Sequence, residues 1–108
     1  MNKDKLRHDI EIYKGTNDGF KVRFCLKGRP YKMQPEDQLI LEVRDYRNDN
    51  AVVITKTIPG SNYFGFAPAD TAELSVGYYI YNIKFIESTT GFVYEIISPS
   101  TFWIKAGE

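Results

Sequence analysis

Cysteine and histidine each occur once in this 108-residue chain, as Cys25 and His8. Cys25 has cationic neighbours at Arg23 and Lys27, and reactive thiols are often found in such electropositive surroundings. A catalytic thiol also needs a base and a group that orients the base. His8 is the only histidine that could serve, and it lies in a charged N-terminal stretch. We therefore expect His8 to be solvated and Cys25 not to be a nucleophile.

The carboxylates do not form a recognisable catalytic or metal-binding pattern. A glycosidase needs two carboxylates that face each other across a cleft, and here the acids are scattered over several predicted strands and loops. The loop DYRNDN at Asp45–Asn50 superficially resembles a calcium loop, but Arg47 occupies the third position and no glycine follows. We interpret this loop as a hairpin tip. The sequence predicts no catalytic residue, no metal and no cofactor. The scattered acids are Glu42, Asp45, Glu73, Glu87 and Glu95.

Aromatic residues are the more informative chemical group, with eight Tyr, seven Phe and one Trp. Tyr and Trp are enriched in interfaces because they join a large apolar body to a polar tip. One interpretation is that the outlying tyrosines only cover the edges of the fold. The other is a binding patch for a protein or for the faces of sugar rings. Trp103 is its best anchor, because Phe102 and Ile104 should point inward. The candidate interface residues are Tyr46, Tyr63, Tyr78, Tyr94 and Trp103.

Composition limits the classes of partner. Lys plus Arg and Asp plus Glu number 14 each, so the formal net charge is zero. A nucleic-acid binder needs a basic footprint that releases counterions from phosphate, and none is predicted from this balance. The same balance argues against attraction to a membrane surface and makes self-association more plausible. The sequence has no apolar run typical of a signal peptide or a membrane helix, and its single cysteine fits folding in a reducing cytoplasm.

Alternating apolar and polar residues predict strands along most of the chain. The clearest pattern is at 20–27, with apolar side chains inward and cationic ones outward. Residues 67–74 could form one helical turn with Asp70 as a cap. Spacing of this kind is typical of an all-β sandwich or barrel. We predict a flexible segment at 1–8 and a single domain at 9–108. Further strands are predicted at 10–13, 39–44, 52–58, 64–66, 78–85 and 92–97, with a last edge piece at 101–105 after Pro99.

The segment Asp70–Phe85, DTAELSVGYYIYNIKF, predicts a corner that leads into a long central strand. Asp70 and Thr71 can bond nearby backbone amides and hold the turn. Gly77 permits positive φ. Tyr79 is the candidate for a tyrosine corner, in which the hydroxyl bonds to upstream backbone. We predict that these four residues shape the fold rather than form a binding site.

Five stretches together resemble a known family. They are Lys14-Gly15-Thr16, then PEDQLILEVRD at 35–45, FGFAPADTAEL at 64–74, the strand with Gly77, Tyr79, Tyr81 and Ile83, and the end with Pro99, Ser100, Phe102 and Ile104. From about Ile10 onward the chain resembles small immunoglobulin-like proteins of phages and prophages of Gram-positive bacteria, which are tail- or baseplate-associated. Asn82 departs from the aspartate that is common there.

This resemblance implies an immunoglobulin-like antiparallel β-sandwich of seven to eight strands. It also implies a non-enzymatic virion-associated structural or assembly protein, made in the bacterial cytoplasm, whose partners are other virion proteins or further copies of itself. The alternative is a module that binds glycans or cell surfaces through exposed Tyr and Trp. A coplanar set of exposed rings would favour that alternative. A small enzyme is the third hypothesis.

Overall fold

A computed structural model of the chain describes residues 8–106. The described residues form nine strands and one short helix, so the predicted all-β fold is confirmed. The predicted flexible segment at 1–8 lies outside the described residues except for His8. The elements are β1 (Ile10–Tyr13), β2 (Asp18–Lys21), β3 (Cys25–Leu26), β4 (Arg29–Pro30), β5 (Gln38–Asp45), β6 (Ala51–Pro59), β7 (Tyr63–Phe66), α1 (Pro68–Ala72), β8 (Gly77–Ile86) and β9 (Val93–Lys105).

A five-stranded sheet in the order β1-β9-β8-β5-β6 is the main layer. Its pairs are antiparallel except β1 with β9, which run parallel. Two small antiparallel pairs, β2 with β7 and β3 with β4, make up the rest of the strands. Both pack on one face of the main sheet, where Phe66 contacts Phe102 at 5.8 Å and Phe24 contacts Phe85 at 4.9 Å between ring centres. We call this the inner face of the main sheet, and the opposite one its outer face.

Period-two alternation builds the core between these layers, because alternate side chains of a strand point to opposite faces. In β8 one face is buried completely, since Tyr79, Tyr81, Ile83 and Phe85 are each at most 1% exposed. Leu39, Leu41 and Val43 of the neighbouring β5 are fully buried beside them.

The strand predicted at 20–27 is wrong as a single strand. The alternation of faces persists, but the partner changes along it. Phe20 pairs with Phe64 of β7, the backbone N–H of Val22 donates to the carbonyl of Asn62 at 2.8 Å, and the carbonyl of Phe24 accepts from Tyr31 at 2.9 Å. The predicted strand therefore includes residues of both β2 and β3, and these two strands pair with different partners, β7 and β4. The sequence TNDG at Thr16–Gly19 is also typical of a turn, but Asp18 and Gly19 already belong to β2.

The structure also corrects the strands predicted at 92–97 and 101–105. Pro99 does not interrupt the strand, because β9 runs continuously from Val93 to Lys105 and absorbs the proline at an irregularity in its register with β8. Residues 101–105 do not lie at an edge, since β1 pairs with β9 on its other side. The edge strands of the main sheet are β1 and β6.

Candidate functional site

Three of the five candidate interface residues meet on the outer face of the main sheet. Tyr46 and Tyr78 stack with ring centres 4.9 Å apart and planes 19° from parallel. Trp103 lies 5.3 Å from Tyr78 at an angle of 54°. Tyr46 and Tyr78 are 42% and 40% exposed, and Trp103 is half-buried. We call Tyr46, Tyr78 and Trp103 the aromatic cluster.

Strand register and one hairpin tip position the aromatic cluster. Tyr78 of β8 lies directly opposite Trp103 of β9, so their side chains share a face. Tyr46 begins the short 3₁₀ turn Tyr46–Asn48 between β5 and β6. The carboxylate of Asp45 caps this turn by accepting from the backbone N–H of Arg47 at 3.0 Å. The predicted hairpin tip at Asp45–Asn50 therefore carries Tyr46 onto the end of β8.

Cations border the aromatic cluster. The guanidinium of Arg47 lies 5.5 Å from the centre of the Tyr46 ring, and the ammonium of Lys105 lies 5.4 Å from that of Trp103. Arg47 also contacts Asp45 at 3.1 Å, and Lys105 lies 3.9 Å from Glu11. Cation–π contacts of this kind are worth about 0.5–1 kcal/mol at exposed sites. The cluster is thus an apolar surface with a charged rim, which is the usual arrangement of a protein interface.

Tyr63 and Tyr94, the other two candidate interface residues, do not join the aromatic cluster. Tyr63 of β7 is 49% exposed and lies across the glycine pair Gly19 and Gly65. Tyr94 is half-buried and stacks on Phe85 of the inner face at 5.9 Å. Burial and the neighbouring Glu87 raise the pKa of Tyr94. Tyr94 thus packs at the margin of the core rather than on the outer face.

The corner residues Asp70 and Thr71 bond both to nearby backbone and to distant parts of the chain. Asp70 stands at the third position of α1 rather than at its cap, and its carboxylate accepts from the backbone N–H of Ala67 at 2.7 Å. The same oxygen accepts from Lys56 of β6 at 2.8 Å. The bond from Lys56 is the main reason that the pKa of Asp70 lies below its usual value. Thr71 is buried, and its hydroxyl accepts from the backbone N–H of Gly15 at 2.9 Å.

Gly77 and Tyr79 form the other half of the corner. Gly77 has φ of +144°, a region that residues with a side chain rarely adopt. Tyr79 is 1% exposed, and its hydroxyl donates to the carbonyl of Ser75 at 2.7 Å. This is the bond expected of a tyrosine corner. Three of the four corner residues thus make side-chain hydrogen bonds, and Gly77 contributes the positive φ.

Sequence reasoning missed Asp37, a fully buried carboxylate just before β5. One oxygen accepts from the hydroxyl of Tyr31 at 2.6 Å and the backbone N–H of Gln34 at 2.7 Å. The other accepts from the backbone N–H of Ser88 at 2.8 Å and its hydroxyl at 2.9 Å. Burial raises the pKa of Asp37, but the hydrogen bonds together outweigh it and hold the pKa below its ordinary value. Asp37 thus joins the 31–37 connection to the loop after β8.

The residues with catalytic potential are not assembled. His8 lines a shallow cleft with Tyr81, whose hydroxyl donates to the His8 carbonyl, and Cys25 is not part of that cleft. Cys25 is exposed on β3. Across residues 8–106, no group of three or more His, Cys, Asp or Glu side chains is placed to hold a metal ion.

Comparison with known proteins finds no family model that matches the chain and no match among curated proteins. Among the residues described, no helix has the length and apolar character needed to cross a membrane.

Proposed function

We propose that this protein is a non-enzymatic structural or assembly component of a phage or prophage particle, which binds another virion protein through the outer face of its main sheet. The aromatic cluster is the observation that carries the proposal. Tyr, Trp and Arg supply most of the binding energy in many protein interfaces, and all three types meet here. The sequence resemblance to virion-associated immunoglobulin-like proteins supplies the class of partner.

The size of the outer face suits such a contact. Both small sheets pack on the inner face, and the described residues leave the outer face open. The five strands contain 44 residues in all, so at about 3.3 Å per residue and about 4.8 Å between strands they present a face of roughly 700 Å². A standard interface buries about 800 Å² on each partner, so this face with its rim has the area of one interface.

The glycan-binding alternative has less support. Sugar recognition by stacking needs ring faces that are open to solvent. Tyr46 and Tyr78 instead cover one face of each other, and Trp103 is tilted by 54° to Tyr78. The three rings therefore form a ridge rather than a coplanar platform, and Tyr63 and Tyr94 lie elsewhere.

The test begins with particles from the bacterium that carries the gene. After induction, particles are purified on a density gradient and probed by mass spectrometry for this chain. We expect the chain to sediment with the particles. If induced particles lack it while the cells contain it, the virion assignment is wrong.

Substitutions then test the contact surface. Tyr78→Thr and Trp103→Thr remove rings but keep residues that suit a strand. We expect each to reduce incorporation at least tenfold. Phe92→Thr is the matched control, because Phe92 is 60% exposed in the loop before β9 and makes no contact with the aromatic cluster. Equal incorporation of all three variants, with unchanged thermal unfolding, would show that the aromatic cluster is not the contact surface.

A further inference from the structure

A basic segment is hidden by the zero net charge of the chain. Residues 20–34 contain five cations and no acid. All five side chains are exposed. None of them forms an ion pair with an acid among residues 10–106. An excess of positive charge is thus concentrated on the β3–β4 hairpin and its flanks. The cations are Lys21, Arg23, Lys27, Arg29 and Lys32.

The β3–β4 hairpin brings two of these cations close together. Cys25 pairs with Pro30, and the ladder continues with the bond from the N–H of Tyr31 to the carbonyl of Phe24. Arg23 and Lys32 lie just beyond this bond, one on each side of the hairpin. The hairpin therefore brings two cations near each other, and a bound anion between them would reduce their mutual repulsion.

Arg23 and Lys32 also line the same concave site. The cavity has a volume of about 490 Å³, and its wall includes Ser61 and Asn62 from the turn between β6 and β7. Asn62 is fixed there because its side-chain amide donates to the carbonyl of Val22 at 3.1 Å. The hydroxyl oxygen of Ser61 accepts from the N–H of Tyr63 at 3.1 Å, which leaves the hydroxyl proton to donate to a ligand. The cavity therefore offers two cations and a hydroxyl donor.

We propose that this cavity, here called the basic cleft, binds the phosphate group of a phosphate-bearing ligand through Arg23, Lys32 and Ser61. A phosphate monoester carries a charge between about −1.5 and −2 at pH 7. It therefore balances the charge of two cations more fully than a ligand with one carboxylate would. The guanidinium of Arg23 can donate two parallel hydrogen bonds to phosphate oxygens. The basic cleft belongs to the β3–β4 layer and not to the outer face, so this proposal is independent of the proposed virion contact.

Inorganic pyrophosphate is the probe for the first test, by isothermal titration calorimetry at low ionic strength. Arg23→Gln and Lys32→Gln should each weaken binding at least about tenfold, since a charge-assisted hydrogen bond is lost. Lys84→Gln is the matched control, because it removes the same charge from an exposed position on β8. We expect it to change binding less than twofold. Absence of pyrophosphate binding, or equal weakening by all three variants, would overturn the proposal.

Cys25 provides a second measurement at the same hairpin, since it is exposed and is the only thiol in the chain. Pyrophosphate should slow its reaction with an anionic aromatic disulfide reagent, and the Arg23→Gln variant should lose this protection. Polyglutamate tests the choice of anion. If polyglutamate at equal charge concentration protects Cys25 as well as pyrophosphate does, the site is a general cationic surface and not a phosphate site.

Discussion

The ammonium of Lys56 lies 2.8 Å from the carboxylate of Asp70, and this ion pair ties edge strand β6 to helix α1. Lys56 points inward, since it pairs in register with the buried Leu41 and lies 5.4 Å from the centre of the Phe66 ring. An inward-pointing charge on an edge strand is one way in which proteins prevent further strands from adding to a sheet. Lys56 thus connects β6 to α1 across the core and discourages a further strand from pairing with β6. Addition of a partner's strand along β6 is therefore less favoured than a contact through the outer face.

Replacement of Asp70 should destabilise the fold through α1 and β6 together. Asp70→Ala removes the bonds from Lys56 and from the backbone N–H of Ala67. We expect the free energy of unfolding to fall by about 1–2 kcal/mol in urea denaturation. Glu73→Ala is the control, because Glu73 is exposed just after α1. Equal effects of the two substitutions would contradict the role of the Asp70 contacts.

The tyrosine corner makes a second prediction. Tyr79→Phe removes only the hydroxyl that bonds the Ser75 carbonyl and leaves the buried ring in place. The free energy of unfolding should fall by about 1 kcal/mol, which is typical of one lost hydrogen bond. Tyr13→Phe removes an exposed hydroxyl and should change stability by less than about 0.5 kcal/mol. A change near zero in the free energy of unfolding for Tyr79→Phe would contradict the assignment of Tyr79 as a tyrosine corner.

Local pattern was enough to predict much of this fold. Alternation in 78–85 correctly separated the two faces of β8, because a strand with one buried face must repeat every second residue. The same signal failed at 20–27, since alternation reports which face a residue takes and not which strand it pairs with. The prediction that Pro99 interrupts the strand failed for a different reason. The register of β9 with β8 is irregular at this point, so it accommodates a proline that a regular central strand would exclude.

The candidate site was predictable only in part. Tyr46, Tyr78 and Trp103 could be chosen as partly exposed rings, but their meeting depends on the register of β8 with β9 and on the hairpin tip. Asp37 was missed because two of its four donors come from Ser88, 51 residues away. The polar tract before β5 was the only signal in the sequence, and it does not distinguish a buried acid from a solvated one.

Asp37 should be the most sensitive acidic residue to replace. Asp37→Ala leaves four donors of Tyr31, Gln34 and Ser88 without their acceptor. A fully buried donor without a partner costs about 1–3 kcal/mol in desolvation, and these partly buried donors cost less because water reaches some of them. We expect a loss of about 3 kcal/mol or more, against less than about 0.5 kcal/mol for the exposed neighbour in Glu36→Ala. Chemical denaturation of both variants measures the difference, and similar losses would contradict it.

The same carboxylate predicts how stability depends on pH. The folded pKa of Asp37 is depressed, as is that of Asp70, so the unfolded chain takes up protons first on acidification. Their contribution is therefore complete above the unfolded pKa of about 3.9 and is lost as pH falls through the folded values. Thermal unfolding between pH 7 and pH 2 should show a steep loss of stability below about pH 4. Asp37→Asn should flatten that acid limb, and an unchanged limb would contradict the assignment.

Gly19 offers a prediction that couples two residues of the β2–β7 pair. A Cβ at this position would overlap the hydroxyl oxygen of Tyr63 and would lie 2.7 Å from the backbone carbonyl oxygen of Phe64. The Tyr63 ring can move away, but the backbone of Phe64 is held in register with Phe20. Gly19→Ala should therefore reduce the free energy of unfolding by about 2 kcal/mol, as overpacking does. In the double variant Gly19→Ala with Tyr63→Ala, part of that loss should be absent, because one of the two clashes is gone. A double-mutant cycle measures this coupling, and strictly additive losses would show that the ring does not lie over Gly19.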